Sequence, residues 1–299
     1  MHPTLEQLIA SGPVVTDGAW GTQLQARGLP IGTCPDAWNL SRPDAVEAVA
    51  GSYVEAGSQV ILTNTFGANR FVLAKHADGT RSVPATLADR VAEINRAGVE
   101  ISRRAAGAQA KVFASMGPSG VMLMMGEASE DDLRAAFAQQ ARAMADAGAD
   151  AIVVETMTDP AEARLAVSAA KETGLPVVAC MTFDSGAKLD RTMMGTTPEQ
   201  AAEQLLDAGA DMIGSNCGQG IAGFVEICRR IREAGGRAVW VKANAGLPEM
   251  RDGKTHYAQT PAEFAAYVPQ LVAAGAAFIG GCCGTSPEFI RAVCERLRS

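Results

Sequence analysis

The sequence repeats one short unit along almost its whole length, an apolar run followed by an Ala-rich stretch. Eight runs of β-branched and small apolar residues recur, at positions 14–16, 60–62, 112–114, 151–154, 177–179, 212–214, 239–241 and 277–279. Runs of this kind are typical of strands that are buried on both faces of a parallel sheet. The stretches between them have helical character, most clearly at 131–147 and 198–208.

The number of these units indicates the fold class. An Ala-Gly pair precedes several of the runs, at 55–58, 146–150, 207–211 and 273–276, and glycine suits the left-handed turn at which a helix ends. Eight strand–helix units predict a single (β/α)8 TIM barrel, which typically takes about 250 residues. The chain has 299 residues and no Pro/Ser-rich linker, so we expect one domain over residues 1–299, with inserted loops at 78–86 and 185–192. A doubly wound open sheet is the alternative.

Charge and hydropathy exclude several classes of function. The net charge of −7 argues against non-specific nucleic-acid binding, which needs a basic surface. The first residues lack the basic start and apolar run of a secretory signal, and no stretch approaches the roughly 18 apolar residues of a membrane span. We therefore expect a cytoplasmic protein. The seven cysteines, an odd number in a long chain, favour metal binding or catalysis over a disulfide framework.

Polar and glycine-bearing clusters follow nearly every predicted strand. In a barrel of this type, the loops after the strands meet at one face, where function gathers. The clusters lie at 17–22, 63–67, 117–120, 155–156, 216–218, 244–246 and 280–285. This placement predicts a site that is assembled from many distant parts of the sequence.

Cysteine placement is the sharpest signal within these clusters. Cys282 and Cys283 follow the eighth predicted strand, and Cys217 follows the sixth. Neighbouring side chains of a strand point to opposite faces, but flanking glycines permit a turn that aims both sulfurs at one ion. Three thiolates favour zinc and leave a fourth tetrahedral position open, as in catalytic zinc sites. Buried free cysteines often act as small apolar residues, which is our interpretation of the other four, Cys34, Cys180, Cys228 and Cys294.

Two carboxylates also lie at predicted strand ends. Asp17 and Glu155 could each receive a substrate ammonium group, and the structural alternative for Asp17 is a helix cap. The amides of the turn at Gly18 and the hydroxyls of Thr63 and Thr65 are candidate donors to a substrate carboxylate. The turn at Gly18 does not match a dinucleotide fingerprint, and the sequence has no G-x-x-x-x-G-K-[ST] phosphate loop.

Taken in order, these clusters resemble the homocysteine S-methyltransferase family. The resemblance rests on Asp17-Gly18 with Gly21-Thr22, Thr63-Asn64-Thr65-Phe66, Gly117-Pro118, Glu155-Thr156, Asn216-Cys217, Asn244-Ala245-Gly246-Leu247-Pro248 and Gly280-Gly281-Cys282-Cys283-Gly284-Thr285. The motifs span nearly the whole chain. They are similar to those of the homocysteine-binding module of cobalamin-dependent methionine synthase and of stand-alone betaine– and S-methylmethionine–homocysteine methyltransferases.

The resemblance implies a (β/α)8 barrel that methylates the sulfur of homocysteine and so forms methionine. It also implies a zinc ion held by Cys217, Cys282 and Cys283. A free thiol is mostly protonated at neutral pH, whereas a zinc-bound thiol is held as the reactive thiolate.

The resemblance implies substrate contacts as well. The residue that matches Glu155 binds the amino group of homocysteine, and those that match Asp17, Gly18 and Thr63 help to bind its amino and carboxylate ends. We also count Asn216 among the substrate-binding residues.

The methyl donor stays open among betaine, S-methylmethionine and an external methyl-corrinoid, the last of which would need a corrinoid protein as partner. The chain ends soon after the cysteine pair, so we expect no folate- or corrinoid-binding module of its own. A quaternary ammonium donor favours an aromatic cage, for which Trp20, Trp38 and Phe66 are the candidates. Gly67 and Thr156 stand where the family implies aromatic residues in animal betaine enzymes, which argues against a cage of that type.

Two other functions compete with the methyltransferase. A zinc hydrolase on the same barrel would hold water at the open position, although such sites more often use His ligands, and no His stands at a predicted strand end. A non-catalytic zinc- or thiol-binding protein would not need Asp17 and Glu155 beside the cysteines.

Overall fold

The computed structural model describes residues 1–77, 86–235, 238–251 and 254–298. Of the two loops expected from the sequence, the one at 78–86 lies outside the described residues except for its last position. The loop at 185–192 is irregular, and a bridge between Ser185 and Arg191 joins its two ends.

Eight parallel strands of the described chain form one sheet, and two further strands form a separate antiparallel hairpin. In chain order the strands are β1 (Val14–Val15), β2 (Val60–Ile61), β3 (Lys111–Met116), β4 (Ala151–Met157), β5 (Val177–Met181), β6 (Met212–Cys217), β7 (Val239–Ala243), β8 (Pro248–Arg251), β9 (Lys254–Tyr257) and β10 (Ala276–Gly281). All eight apolar runs of the sequence overlap the strands of the sheet. The hairpin β8–β9 is not among the predicted strands.

Helices connect the strands and surround the sheet. They are α1 (Pro3–Ile9), α2 (Gly21–Ala26), α3 (Trp38–Ser41), α4 (Pro43–Ala56), α5 (Arg70–Leu73), α6 (Val91–Ala106), α7 (Glu130–Asp146), α8 (Pro160–Lys171), α9 (Pro198–Asp207), α10 (Ile221–Gly235), α11 (Pro261–Ala265), α12 (Val268–Ala273) and α13 (Pro287–Arg298). Many begin at proline, whose fixed φ suits the first turn. The Ala-Gly pairs end helices as predicted, with φ of 104° at Gly57 and 100° at Gly209. No helix of the described residues is long and apolar enough to cross a membrane.

The sheet closes on itself. Its neighbours run β1-β10-β7-β6-β5-β4-β3-β2, and a parallel bridge between Thr16 and Val60 joins the two ends. Because β1 and β2 have only two residues each, a side chain helps to complete the seam between them. The Gln59 amide donates to the Val15 carbonyl at 2.8 Å, and the Gln59 side-chain oxygen accepts from the Val15 amide at 3.0 Å. The (β/α)8 barrel is confirmed, and the open sheet was the wrong alternative.

Apolar side chains fill the end of the barrel that lies toward the start of the strands. Trp240 of β7 stacks with Phe113 of β3 and Phe278 of β10, with ring centroids 5.9 and 5.1 Å apart. Leu5 of α1 is fully buried in the same cluster, so α1 packs against this end. We call this cluster the floor. It makes the barrel a packed core and not a pore.

Candidate active site

Three cysteine sulfurs meet at the carboxyl ends of β6 and β10. The Sγ atom of Cys217 lies 3.5 Å from that of Cys282 and 3.9 Å from that of Cys283. All three atoms lie within 4.8 Å of one another. Cys217 is the last residue of β6, and Cys282 directly follows β10. The structure therefore brings together the three cysteines that the sequence singles out.

These spacings suit a metal ion. A tetrahedral zinc ion with Zn–S bonds of about 2.3 Å places its sulfur ligands roughly 3.8 Å apart, close to both measured distances. A disulfide would bring two sulfurs to about 2.05 Å, and all seven cysteines are free. Cys217, Cys282 and Cys283 are partly exposed, whereas the remaining four are buried, as the sequence predicts for small apolar residues. The donor set and its spacing thus fit a zinc ion.

A strained turn places Cys217. Its φ of 65° lies in the left-handed region, which costs a residue with a Cβ roughly 1–2 kcal/mol. Asn244, which follows β7, holds this turn from the neighbouring strand. Its amide donates to the Cys217 carbonyl at 3.3 Å, and its side chain donates to the Gly218 carbonyl at 2.6 Å.

A second turn places the cysteine pair. The Cys282 amide donates to the Ala243 carbonyl at 2.7 Å, which continues the pairing with β7. Both the amide and the hydroxyl of Thr285 then donate to the Cys282 carbonyl, at 3.1 and 2.7 Å. The Cys283 carbonyl accepts from the Ala245 amide at 3.0 Å. Because the chain turns here, the two adjacent side chains need not point to opposite faces.

Contacts among the sulfurs make the Cys283 thiol more acidic and the Cys217 thiol less acidic. Hydrogen bonds with Cys217 and Cys282 hold the pKa of Cys283 well below its usual range, and the contacts with Cys282 and Cys283 raise the pKa of Cys217. Tyr257 also acts to lower the pKa of this thiol. The cluster already favours one thiolate, which is the form that a metal ion requires.

Glu155, near the carboxyl end of β4, is only 6% exposed. Its carboxylate accepts from the Ser115 hydroxyl at 2.5 Å and from the Asn216 side-chain amide at 3.3 Å. Burial raises the pKa of Glu155 to about 7, although the charge of Lys242 acts to lower it. A buried carboxyl group beside a cavity is suited to receive an ammonium group, since the added cation favours its ionised form.

Asp17 is fully buried and bonded on both oxygens to groups of the protein. Its Oδ1 atom pairs with the Lys242 ammonium, and its Oδ2 atom accepts from the Trp20 indole and the Leu62 amide, each at 2.7 Å. The Leu62 contact extends the short seam between β1 and β2. Lys242 is also buried, and although burial opposes its charge, Asp17 and Glu155 raise its pKa. The contact of Asp17 with a substrate stays a prediction.

Gly18 and Thr63 border the space beside the three cysteines. A Cβ atom on Gly18 would lie 2.8 Å from the Thr285 hydroxyl, so glycine allows the loop after β1 to approach the cysteine turn. The Thr63 hydroxyl accepts from the Ser115 amide at 3.0 Å and lies 2.6 Å from the Thr65 hydroxyl. Both residues are placed for the contacts that the resemblance implies, which stay predictions.

A cavity of about 510 Å³ opens at this end of the barrel. Six of the eight predicted site residues line it, namely Gly18, Thr63, Glu155, Cys217, Cys282 and Cys283. Asp17 and Asn216 are not among its lining residues and bond to residues that are. Trp20 and Phe66 also line the cavity, whereas Trp38 is buried in the apolar layer between strands and helices.

Sequence reasoning missed Lys242, Tyr257 and Ser115, which all line the cavity. A lysine inside the apolar run of β7 was a usable signal, because a buried ammonium group needs a partner. Tyr257 reaches the site on the hairpin β8–β9, whose residues carry no strong strand signal. Ser115 is an ordinary small residue, and only the structure shows its contact with Glu155.

The sequence model of the family described as homocysteine S-methyltransferase matches residues 14–297. Methionine synthase of Mycobacterium tuberculosis is 32% identical over 97% of the chain, which spans only 25% of that protein. Betaine–homocysteine S-methyltransferase 1 of Danio rerio is 28% identical over 98% of the chain and 75% of that protein.

Among solved structures, the metallated form of the homocysteine methyltransferase MmuM from Escherichia coli superposes with a TM-score of 0.79. The match covers 99% of each chain at 23% sequence identity. At this identity the likeness supports the fold.

Proposed function

The chain belongs to the homocysteine S-methyltransferase family, as its motifs indicate, and on that premise we propose that it methylates homocysteine with the help of a zinc ion. The observation that carries the proposal is that three free sulfurs and a buried carboxylate border one cavity. We further propose that residues 1–299 act as one homocysteine-binding barrel.

In this proposal Cys217, Cys282 and Cys283 hold the zinc ion. Zinc bound there would hold the substrate thiol as a thiolate, which stays nucleophilic at neutral pH. The protein residues orient the amino acid. The side-chain amide of Asn216 lies between the sulfurs and Glu155. Its Nδ2 atom is 3.3 Å from Glu155 and 3.9 Å from the Cys282 sulfur.

Two classes of methyl donor fit different features of the site. Trp20, Phe66 and Tyr257 line the cavity, and aromatic faces attract the methyl groups of an onium compound such as betaine or S-methylmethionine. Phe66 is 42% exposed, so a small donor could reach it from solvent.

Two loops that follow strands, and so lie at the same end of the barrel as the cavity, fit the second class, a methyl-corrinoid carried by a partner protein. Met124 and Met125 after β3 and Met193 after β5 are about two-thirds exposed, at 69%, 67% and 66%. Exposed methionines are adaptable contact residues and frequently mark interaction surfaces.

A donor panel tests the proposal. Zinc-loaded protein and homocysteine are incubated separately with betaine, S-methylmethionine and methylcobalamin, and methionine is measured. We expect methionine with one class of donor and none without zinc. A zinc-loaded protein that binds homocysteine through its sulfur and yields no methionine with any donor would contradict the proposed reaction. A metal that binds only water would favour a zinc hydrolase.

A further inference from the structure

Asn216 sits between the sulfurs and the carboxylate with every hydrogen of its side-chain amide engaged. It is fully buried on β6. Its Oδ1 atom accepts from the Thr156 amide at 2.7 Å. Its Nδ2 atom donates to the Thr156 hydroxyl at 2.7 Å and to Glu155 at 3.3 Å, and lies 3.9 Å from the Cys282 sulfur. An amide has only two such hydrogens, so none is left for a substrate.

Two residues next to these contacts, Thr156 and Cys217, have unusual backbone conformations. Thr156 has a φ of 62° and Cys217 a φ of 65°, and each is a non-glycine residue in the left-handed region. Such conformations persist where surrounding contacts hold them. Asn216 makes two hydrogen bonds to Thr156 and precedes Cys217 directly in the chain. One side chain therefore fixes the ends of β4 and β6 together.

We propose that Asn216 is a positioning residue that couples the metal site to the amino-acid site. An ion that fixes Cys217 and Cys282 also fixes the amide between them, which in turn orients Glu155 toward an ammonium group. By thermodynamic linkage, an amino acid bound at Glu155 strengthens metal binding by the same factor. This inference rests on the proposed function, although its test does not require methyl transfer.

The test measures coupling of binding with homoserine, the hydroxyl analogue of homocysteine. Its dissociation constant is determined by calorimetry for zinc-loaded and metal-free protein. In the wild type we expect zinc to tighten homoserine binding by at least about fivefold, the lower end of common coupling effects. In Asn216→Ala and in the nearly isosteric Asn216→Asp, we expect the ratio of the metal-free to the zinc-loaded dissociation constant to fall close to one at saturating zinc.

A matched control variant is available at Ser215, which precedes Asn216 on β6. Ser215 is fully buried, and its hydroxyl has no hydrogen-bond partner among the described residues. Ser215→Ala should keep the wild-type ratio. The absorption spectrum of cobalt-loaded protein gives a second readout, because it reports thiolate geometry. We expect it to change in both Asn216 variants and to stay unchanged in Ser215→Ala.

Several results would overturn the coupling. These are a wild-type ratio of one, an unchanged ratio in Asn216→Ala or Asn216→Asp, or no homoserine binding to either wild-type form. If the coupling is found and the donor panel yields no methionine, the proposed reaction fails while the positioning role stands.

Discussion

Two residues of β7, only two positions apart, lie in opposite environments. Trp240 points into the floor, where it stacks with Phe113 and Phe278. Lys242 is equally buried but pairs with Asp17 at the end of the barrel that holds the cysteines. We call this polar end the mouth. Side chains two positions apart share one face of a strand, so both point into the barrel.

The same change occurs in two other strands of the sheet, β3 and β4. In β3, Phe113 is followed on the same face by Ser115, and in β4, Val153 is followed by Glu155. The interior thus passes from apolar to polar within about 7 Å of strand. Apolar side chains of the floor need only close packing, whereas each buried polar group of the mouth needs a partner. We therefore expect changes in the floor to alter stability alone, and changes in the mouth to alter ligand binding as well.

The largest expected effect is in the mouth, at the cysteines. Cys217→Ala, Cys282→Ala or Cys283→Ala should each lower zinc affinity by more than about a hundredfold, since even residues that only support a metal ligand account for 10- to 100-fold. Competition with a chromophoric chelator measures this. Cys228→Ala, in α10 and outside the site, is the matched control and should keep wild-type affinity. Full zinc retention in any of the three variants would remove that residue from the site.

Lys242→Met should have the next largest effect, and this effect is on the free energy of unfolding. Removal of one partner leaves the Asp17 carboxylate buried and uncompensated, so the free energy of unfolding should fall by about 3–5 kcal/mol. Urea denaturation gives this value. The double variant Lys242→Met with Asp17→Asn should recover part of the loss, because an amide can still accept from Leu62 without carrying a charge. No loss in the single variant would show that the ion pair does not matter for stability.

Glu155→Gln should weaken amino-acid binding by about 1.5–3 kcal/mol, roughly ten- to a hundredfold, because a hydrogen bond to a charged group is lost. Since burial raises the pKa of Glu155 to about 7, the carboxyl group becomes protonated as the pH falls below neutrality. Homoserine affinity in the wild type should therefore decrease from about pH 8 to pH 6, whereas the variant should lack this dependence. Calorimetry across that range is the measurement, and equal pH profiles would argue against the amine-binding role.

The smallest effect belongs to the floor. Trp240→Phe should lower the free energy of unfolding by about 1–3 kcal/mol, between the cost of one methylene and that of full truncation. The loss is limited because the Trp240 indole N–H has no partner among the described residues, so no hydrogen bond is broken. Zinc affinity and homoserine affinity should equal those of the wild type. A change in either would mean that floor and mouth are not independent.

The floor and the sheet could be predicted from the sequence because both depend on short-range pattern. The apolar runs mark the strands, and the Ala-Gly pairs mark where helices end. The cysteines were also accessible, because a rare residue type recurs at two strand ends. The hairpin β8–β9 escaped prediction, since its sequence lacks the alternation of apolar residues that marks a strand.

The partners of the polar groups could not be predicted. Lys242 and Asp17 are 225 positions apart, and no local pattern links them. Asn216 was placed in the site by its motif, and the structure adds that its amide is used by Thr156 and Glu155. A sequence shows which residues could do chemistry, but the pairing of buried charges depends on how distant strands are aligned.

The pairing of β1 with β10 has a consequence for biosynthesis. Val14 and Val15 find their ladder partners only at Phe278 and Ile279, and two of the three clustered cysteines come after those residues. Domains form as units during translation, and contacts between distant positions are slow to form. A nascent chain on the ribosome would thus carry an incomplete ring until β10 emerges, and the three sulfurs of the proposed metal site could meet only after that point.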